Sequence, residues 1–233
     1  MSNIVLIGMP GCGKSTIGVI LAKTIGVGFV DTDLIIQQRE NRLLQDIIDK
    51  DGINAFLDCE ENAVKPVYCD NTVIATGGSV VYREDAIKHL KNNGKIFYLN
   101  VPLDEIKKRL NNISTRGIAA NKNDSVDDIF IEREPLYKKY ADVIIDFSHP
   151  SVLEDLLTFA KEKKIPAVIA TTGLNEQQIE DIKAVSNDVP LFFSANMSIG
   201  VSLVSELAKK AAKVLQGSFD IEIVEAHHNQ KID

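Results

Sequence analysis

Gly8-Met9-Pro10-Gly11-Cys12-Gly13-Lys14-Ser15 constrains this chain more than any other stretch. It follows a short apolar run, Ile4 to Ile7. It precedes a segment of helical spacing, Ser15 to Thr24, with Ile17, Ile20 and Leu21 as its apolar positions. Strand, glycine-rich turn and helix, in that order, make a phosphate-binding loop of the Walker A pattern. The glycines let successive backbone N–H groups converge on phosphate oxygens. The helix start adds unpaired N–H groups and the positive end of its dipole. Lys14 is expected to reach the β- and γ-phosphates of ATP, and Ser15 to ligate Mg²⁺ through its hydroxyl. The nucleotide-binding set is then Gly8, Gly11, Cys12, Gly13, Lys14, Ser15 and Thr16.

The rest of the chain alternates in the same way. Short strands are expected at 28–30, 72–75, 95–100, 143–145, 167–170, 191–194 and 219–224. Helices are expected at 34–65 (broken near Asp51-Gly52), 84–92 (stopped by Gly94), 104–110, 127–139, 150–163, 175–186 (capped by Asn175) and 199–215. The fold class is α/β: a three-layer P-loop sheet with helices on both faces, extended by further Rossmann-like β-α units. With 233 residues, 45 % of them apolar, the chain can bury a sizeable core.

Asp31 and Asp33 lie just past the second strand, where strand ends face the ligand crevice of a parallel sheet. One carboxylate suits a metal-bound water and the other an accepting hydroxyl. Capping the following helix is the alternative use of either. Gly77-Gly78-Ser79 ends another strand and allows close backbone approach to a substrate, or makes a plain turn. Residues 111–125 form a polar, turn-prone loop with Arg116 at its centre, a candidate lid. Arg109, Arg116 and Arg133 are candidates to hold anions, since the guanidinium pairs with phosphate or carboxylate through two N–H groups.

Residues 1 to about 146 resemble shikimate kinase. The match runs through loop 8–15, Asp31-Thr32-Asp33, Ala75-Thr76-Gly77-Gly78, Arg116 and Arg133-Glu134-Pro135-Leu136-Tyr137. The resemblance implies that Asp33 meets the acceptor hydroxyls and Asp31 the magnesium environment. It puts Gly77, Gly78 and Arg133 against shikimate, Arg116 in the lid and Arg109 on the adenine. Lys14, Asp33 and Arg116 become the expected catalytic residues. The chain departs from the family where Phe-Arg is followed two residues later by Glu. Here the stretch reads Phe56-Leu57-Asp58-Cys59-Glu60, so Leu57 replaces a carboxylate-binding Arg. Ser79 replaces a third glycine, and the lid reads Thr115-Arg116-Gly117-Ile118.

Residues from about 141 to 233 resemble dihydrodipicolinate reductase, an NAD(P)H enzyme. The match runs through Val143 to Ser148, Ala170-Thr171-Thr172-Gly173-Leu174, Ser194 to Ser198 and Glu225 to Lys231. The resemblance places Thr172 and Gly173 by the nicotinamide, gives His227 and Lys231 acid and substrate-binding roles, and counts His228 among the reductase-like residues. The family's dinucleotide fingerprint belongs to a segment that this chain replaces with the loop at 8–15. The stretch therefore reads as a truncated reductase fragment, fused near Ala141 to Asp146 and continuing one sheet through crossover helices.

No run approaches the 18 uncharged apolar residues of a membrane span. Met1-Ser2-Asn3 has no basic leader, and three unpatterned cysteines suit a reducing cytosol. A net charge of −7 disfavours nucleic acid as a partner. A cytoplasmic protein is expected, with a small-molecule acceptor as its partner and neither nucleic acid nor membrane. His227-His228 lacks metal-site spacing. Three readings stand: ATP-dependent transfer to a small hydroxylated acid, an NAD(P)H-dependent reductase, or a nucleotide-binding chimera without turnover.

Overall fold

The computed structural model describes residues 2–110, 117–120, 124–194, 199–215, 217, 219–222 and 224. The chain opens with β1 (Asn3–Ile7), α1 (Lys14–Ile25), β2 (Gly28–Asp31), α2 (Thr32–Glu40), α3 (Leu44–Asp51) and α4 (Ile53–Val64). It continues through β3 (Thr72–Ala75), α5 (Glu84–Asn92), β4 (Gly94–Asn100), α6 (Leu103–Leu110), α7 (Val126–Tyr140) and β5 (Val143–Asp146). Next come α8 (Leu153–Lys163), β6 (Ala167–Ile169), α9 (Glu176–Val185), β7 (Leu191–Phe193) and α10 (Ile199–Leu215).

Among the described residues, seven strands form one sheet in the order β2-β3-β1-β4-β5-β6-β7, with every pairing parallel. The β4–β5 register sets Phe97 against Val143, and the β5–β6 register sets Ile144 against Ala167. The expected extension of one sheet beyond residue 146 is therefore found. One buried apolar cluster holds Val5, Ile96 and Ile144 together with Ile169 and Ile182, so the core runs on past residue 146. Burial on both faces explains why these strands are nearly continuous apolar runs.

Several details differ from the sequence reading. Gly94 does not stop a helix: it opens β4, and Asn93 occupies the cap of α5. A side chain there would meet the Leu90 and Asn3 carbonyls, so the glycine serves close packing. The apolar residues of α1 are not its buried face. Ile20 is 60 % exposed, while Gly18 and Ala22 face inward. A Cβ on Gly18 would sit 2.7 Å from the Phe29 ring, so helix and sheet approach through small residues. The expected strand at 219–224 is absent from its described residues, 219–222 and 224. Val224 is 90 % exposed, and alternating apolar residues without a neighbouring strand have no ladder to join. Helix α10 leaves Leu203, Val204, Leu207 and Val214 exposed.

Candidate functional site

The phosphate-binding loop lies between β1 and α1. Gly11 and Gly13 adopt φ +82° and +102°, a backbone that side-chain-bearing residues seldom take. Lys14 is buried, and its Nζ donates to the Gly8 carbonyl at 2.8 Å and the Met9 carbonyl at 3.0 Å. Its ammonium thus stays within the loop. Cys12 is buried with its Sγ 3.7 Å from that ammonium, and Thr16 is exposed. The exposed Arg109, on α6, sends Nη1 to the Gly11 carbonyl at 3.4 Å.

The cavity beside the loop has a volume of about 40 Å³. Lys14 and Ser15 line one side; Asp33, Phe56, Gly77 and Arg133 complete it. Asp31 caps α2 by accepting from the backbone N–H of Asp33 at 3.0 Å, so it fixes the start of the helix that carries Asp33. The capping use of Asp31 is therefore realised. Buried Thr32 accepts the Gly77 N–H through Oγ1 at 3.1 Å, joining the two loops.

Arg133 is buried on α7. Its Nε donates to the Tyr82 hydroxyl at 3.2 Å, one Nη donates to the Ala119 carbonyl, and its guanidinium lies 5.1 Å from the Tyr82 ring centre. One turn later, Tyr137 donates to the Gly78 carbonyl at 2.6 Å. Burial pushes the Tyr137 hydroxyl well above the ordinary phenol range, so it remains a donor.

Glu60 is the residue that the sequence reading left unassigned. It is fully buried on α4 behind Gly77. A Cβ on Gly77 would fall on Glu60 Oε1 and come within 2.9 Å of Asp33 Oδ1, so glycine is required there. Among the described residues neither oxygen of Glu60 makes a hydrogen bond of good geometry; the Ser79 side chain is the nearby donor. Burial first and the charge of Asp33 second push its carboxyl up to about 8, against the opposing pull of the nearby Ser79 hydroxyl, then of Arg133 and Lys14. The signal was present as the acid of the Phe56-to-Glu60 stretch, read there only for its missing Arg.

A second polar cluster gathers at the end of β5. Asp146 accepts from Asn100 Nδ2 at 2.8 Å, Ser148 Oγ at 2.9 Å and Thr171 Oγ1 at 2.6 Å. Thr172 and Gly173 follow β6 as exposed loop residues. Three strand spacings, about 14 Å, separate β6 from β1. Arg116, His227, His228 and Lys231 lie outside the described residues, as does much of the lid segment 111–125.

A family model described as shikimate kinase matches residues 10–164. The chain belongs to the shikimate kinase family. A solved shikimate kinase from Acinetobacter baumannii, in complex with shikimate, is 28 % identical with TM-score 0.59, covering 63 % of this chain and 83 % of that one. The shikimate kinase from Aquifex aeolicus vf5 is also 28 % identical, with TM-score 0.54, covering 69 % and 97 %. A second model, dihydrodipicolinate reductase C-terminus, matches residues 200–233. The 4-hydroxy-tetrahydrodipicolinate reductase of Alkaliphilus oremlandii (strain OhILAs) is 50 % identical over 100 residues, 43 % of this chain and 41 % of the relative. That of Clostridium tetani (strain Massachusetts / E88) is 48 % identical over 92 residues, covering 40 % and 36 %. The chain thus spans about two-fifths of the length of the curated reductases it matches. The two resemblances together describe a fusion architecture.

Within this shikimate kinase family member, Leu57 is buried among Ile36, Ile47, Phe56 and Ala119. It shares a surface depression with Tyr82 and Ala119, the two groups that hold Arg133. Neither Arg39 nor Arg42 replaces the missing charge. Arg39 donates to the Asn62 carbonyl at 2.6 Å, and Arg42 pairs with Asp51 at 2.7 Å and Glu40 at 3.3 Å. Among the described residues, no helix is long and apolar enough to cross a membrane.

Proposed function

We propose that this protein transfers the γ-phosphoryl group of ATP to a hydroxyl of a small polyhydroxylated acceptor, with shikimate the acid that the family resemblance names. One observation carries the reading. The Lys14 ammonium loop, Asp33, the Gly77-Gly78 backbone and Arg133 converge on one cavity.

The chemistry follows from these groups. Backbone N–H groups of 11–15 receive phosphate oxygens, and Lys14 exchanges its loop carbonyls for the β- and γ-phosphates. Asp33, its helix start pinned by Asp31, orients the acceptor hydroxyl and takes its proton. Arg133 and the Gly77-Gly78 backbone position the rest of the acceptor. Arg109 stands at the loop rim, where adenine would stack on it. Arg116 completes the expected lid, closing over the phosphates and excluding water. Ser15, which lines the cavity, would hold Mg²⁺ through its hydroxyl, with Asp31 the second residue that the family resemblance assigns to the ion, and the ion would neutralise phosphate charge.

On this reading, residues 1–146 form the catalytic unit. Residues 141–233 are a reductase-like fragment that continues the same sheet. An NAD(P)H-dependent role would need residues beyond those matched, and absorbance at the nicotinamide wavelength with dihydrodipicolinate tests it; no change is expected. The deciding experiment is ATP turnover with and without shikimate or another polyhydroxylated acceptor, beside a Lys14→Ala control. Acceptor-dependent turnover that Lys14→Ala abolishes supports transfer. MgATP binding without turnover for any acceptor supports a nucleotide-binding chimera instead.

A further inference from the structure

Helix α10 has a side that neither the sheet nor the phosphate-binding site uses. At about 3.6 residues per turn, Leu203, Val204, Leu207, Ala211, Val214 and Leu215 fall on one half of its surface. Ser205, Glu206, Lys209, Lys210 and Lys213 fall on the other. A helix divided in this way ordinarily lays its apolar half on its own protein. Here Leu203, Val204, Leu207, Val214 and Leu215 are between 39 % and 82 % exposed. These five side chains leave on the order of 550 Å² open, at the upper end of the roughly 300–600 Å² found for the largest apolar patch on an ordinary monomer.

Area, shape and charge together choose a second copy of this chain as the cover. Two such faces laid on each other bury about 1,100 Å², which meets the roughly 1,000 Å² that a specific interface needs. Ala208 and Ala211, both exposed, sit near the middle of the apolar half, where small residues let two helix axes approach closely. Glu206 and Lys210 lie one turn apart along the same border of that half. A two-fold antiparallel crossing centred on Ala208 sets Glu206 of one copy opposite Lys210 of the other, and symmetry makes the contact twice. Glu206 now holds Lys209 at 2.8 Å, an exposed pair that is given up at little cost. A lipid surface suits the helix less well. It has no aromatic residue, and an anionic headgroup layer repels a chain of charge −7. We infer that α10 is a homodimer interface, an antiparallel helix pair in which each copy covers the apolar half of the other. The inference stands apart from the proposed phosphoryl transfer.

The test is sedimentation velocity of the full chain across a concentration series. A monomer–dimer equilibrium is expected, with a Kd of about 10 µM. Leu207→Glu puts a carboxylate at the centre of both faces and is expected to weaken the dimer at least about a hundredfold. Leu207 is exposed, so the variant should keep the circular dichroism and unfolding midpoint of the unchanged chain. Glu206→Lys is expected to weaken the dimer roughly tenfold, and adding Lys210→Glu to restore it, because the swap rebuilds both contacts with their signs reversed. A chain that stays monomeric at every concentration overturns the inference. So does a dimer that Leu207→Glu leaves intact, a charge swap that restores nothing, or assembly that continues past two copies. Flotation with phosphatidylcholine–phosphatidylserine vesicles covers the lipid alternative. Vesicle binding that Leu207→Glu abolishes, in a chain that does not dimerise, would assign the face to a membrane surface instead.

Discussion

The Tyr137 hydroxyl donates to the Gly78 carbonyl at 2.6 Å, locking α7 to the glycine turn at the cavity. Arg133 lies one helical turn earlier on α7, so this bond sets the distance between the guanidinium and the acceptor-facing backbone. The Tyr137 ring also stacks on Tyr98, with centres 5.2 Å apart.

Tyr137→Phe keeps the ring and removes the donor, leaving the Gly78 carbonyl without that partner. A loss of about 1–2 kcal/mol is expected in denaturant unfolding. The KM of the acceptor should rise while that of ATP stays close to its original value, because the phosphate-binding loop is untouched. An equal rise in both would show that α7 does not act on the acceptor side.

Gly77→Ala puts a methyl group onto Glu60 Oε1 and near Asp33. The two acids must move apart, at a cost of roughly 1–3 kcal/mol. Acceptor-dependent turnover should vanish, with nucleotide binding retained. Calorimetry with ATP and a coupled turnover assay separate the two effects.

Glu60 links stability to pH. Its carboxyl is pushed up to about 8 in the fold, so the native state holds a proton that the unfolded chain releases near the usual carboxylate value of 4.5. The proton excess lies on the native side, and stability therefore falls as pH rises from about 4.5 to about 8. Glu60→Gln removes this slope. Its advantage over the unchanged chain should grow across that window, up to an order of 5 kcal/mol. Parallel stability curves for the two proteins would show that Glu60 does not hold the proton.

Asp146→Ala tests whether the two stretches unfold together. The substitution orphans donors on Asn100 of β4, on Ser148 after β5 and on Thr171 after β6. A cost of about 3 kcal/mol is expected, seen as one shifted transition by every probe. Two separated transitions would mean that the strands share a sheet without sharing cooperativity.

Much of this arrangement was legible in the sequence. The order of residues 8–15 fixes the loop, because each glycine and Lys14 has a separate geometric duty. Apolar runs at 143–145, 167–170 and 191–194 gave the added strands, since a parallel strand buried on both faces needs such a run. Other features depend on what lies opposite. Gly18 looked unremarkable beside Ile17 and Ile20, yet the approach of Phe29 makes the small residue the inner one. Phe219 to Val224 alternates like a strand, but alternation cannot supply a neighbour. Glu60 carried a family position without a visible role, because only the fold reveals that it is sealed behind Gly77.

Strand β5 pairs in the same sense with β4 on one side and β6 on the other. Its ladder is made of main-chain amides and carbonyls, which look alike whatever lineage supplied the side chains. A break in ancestry can pass through such a strand without a break in hydrogen bonding. Recombination there needs no linker, only a right-handed return and an apolar face of matching width on each side.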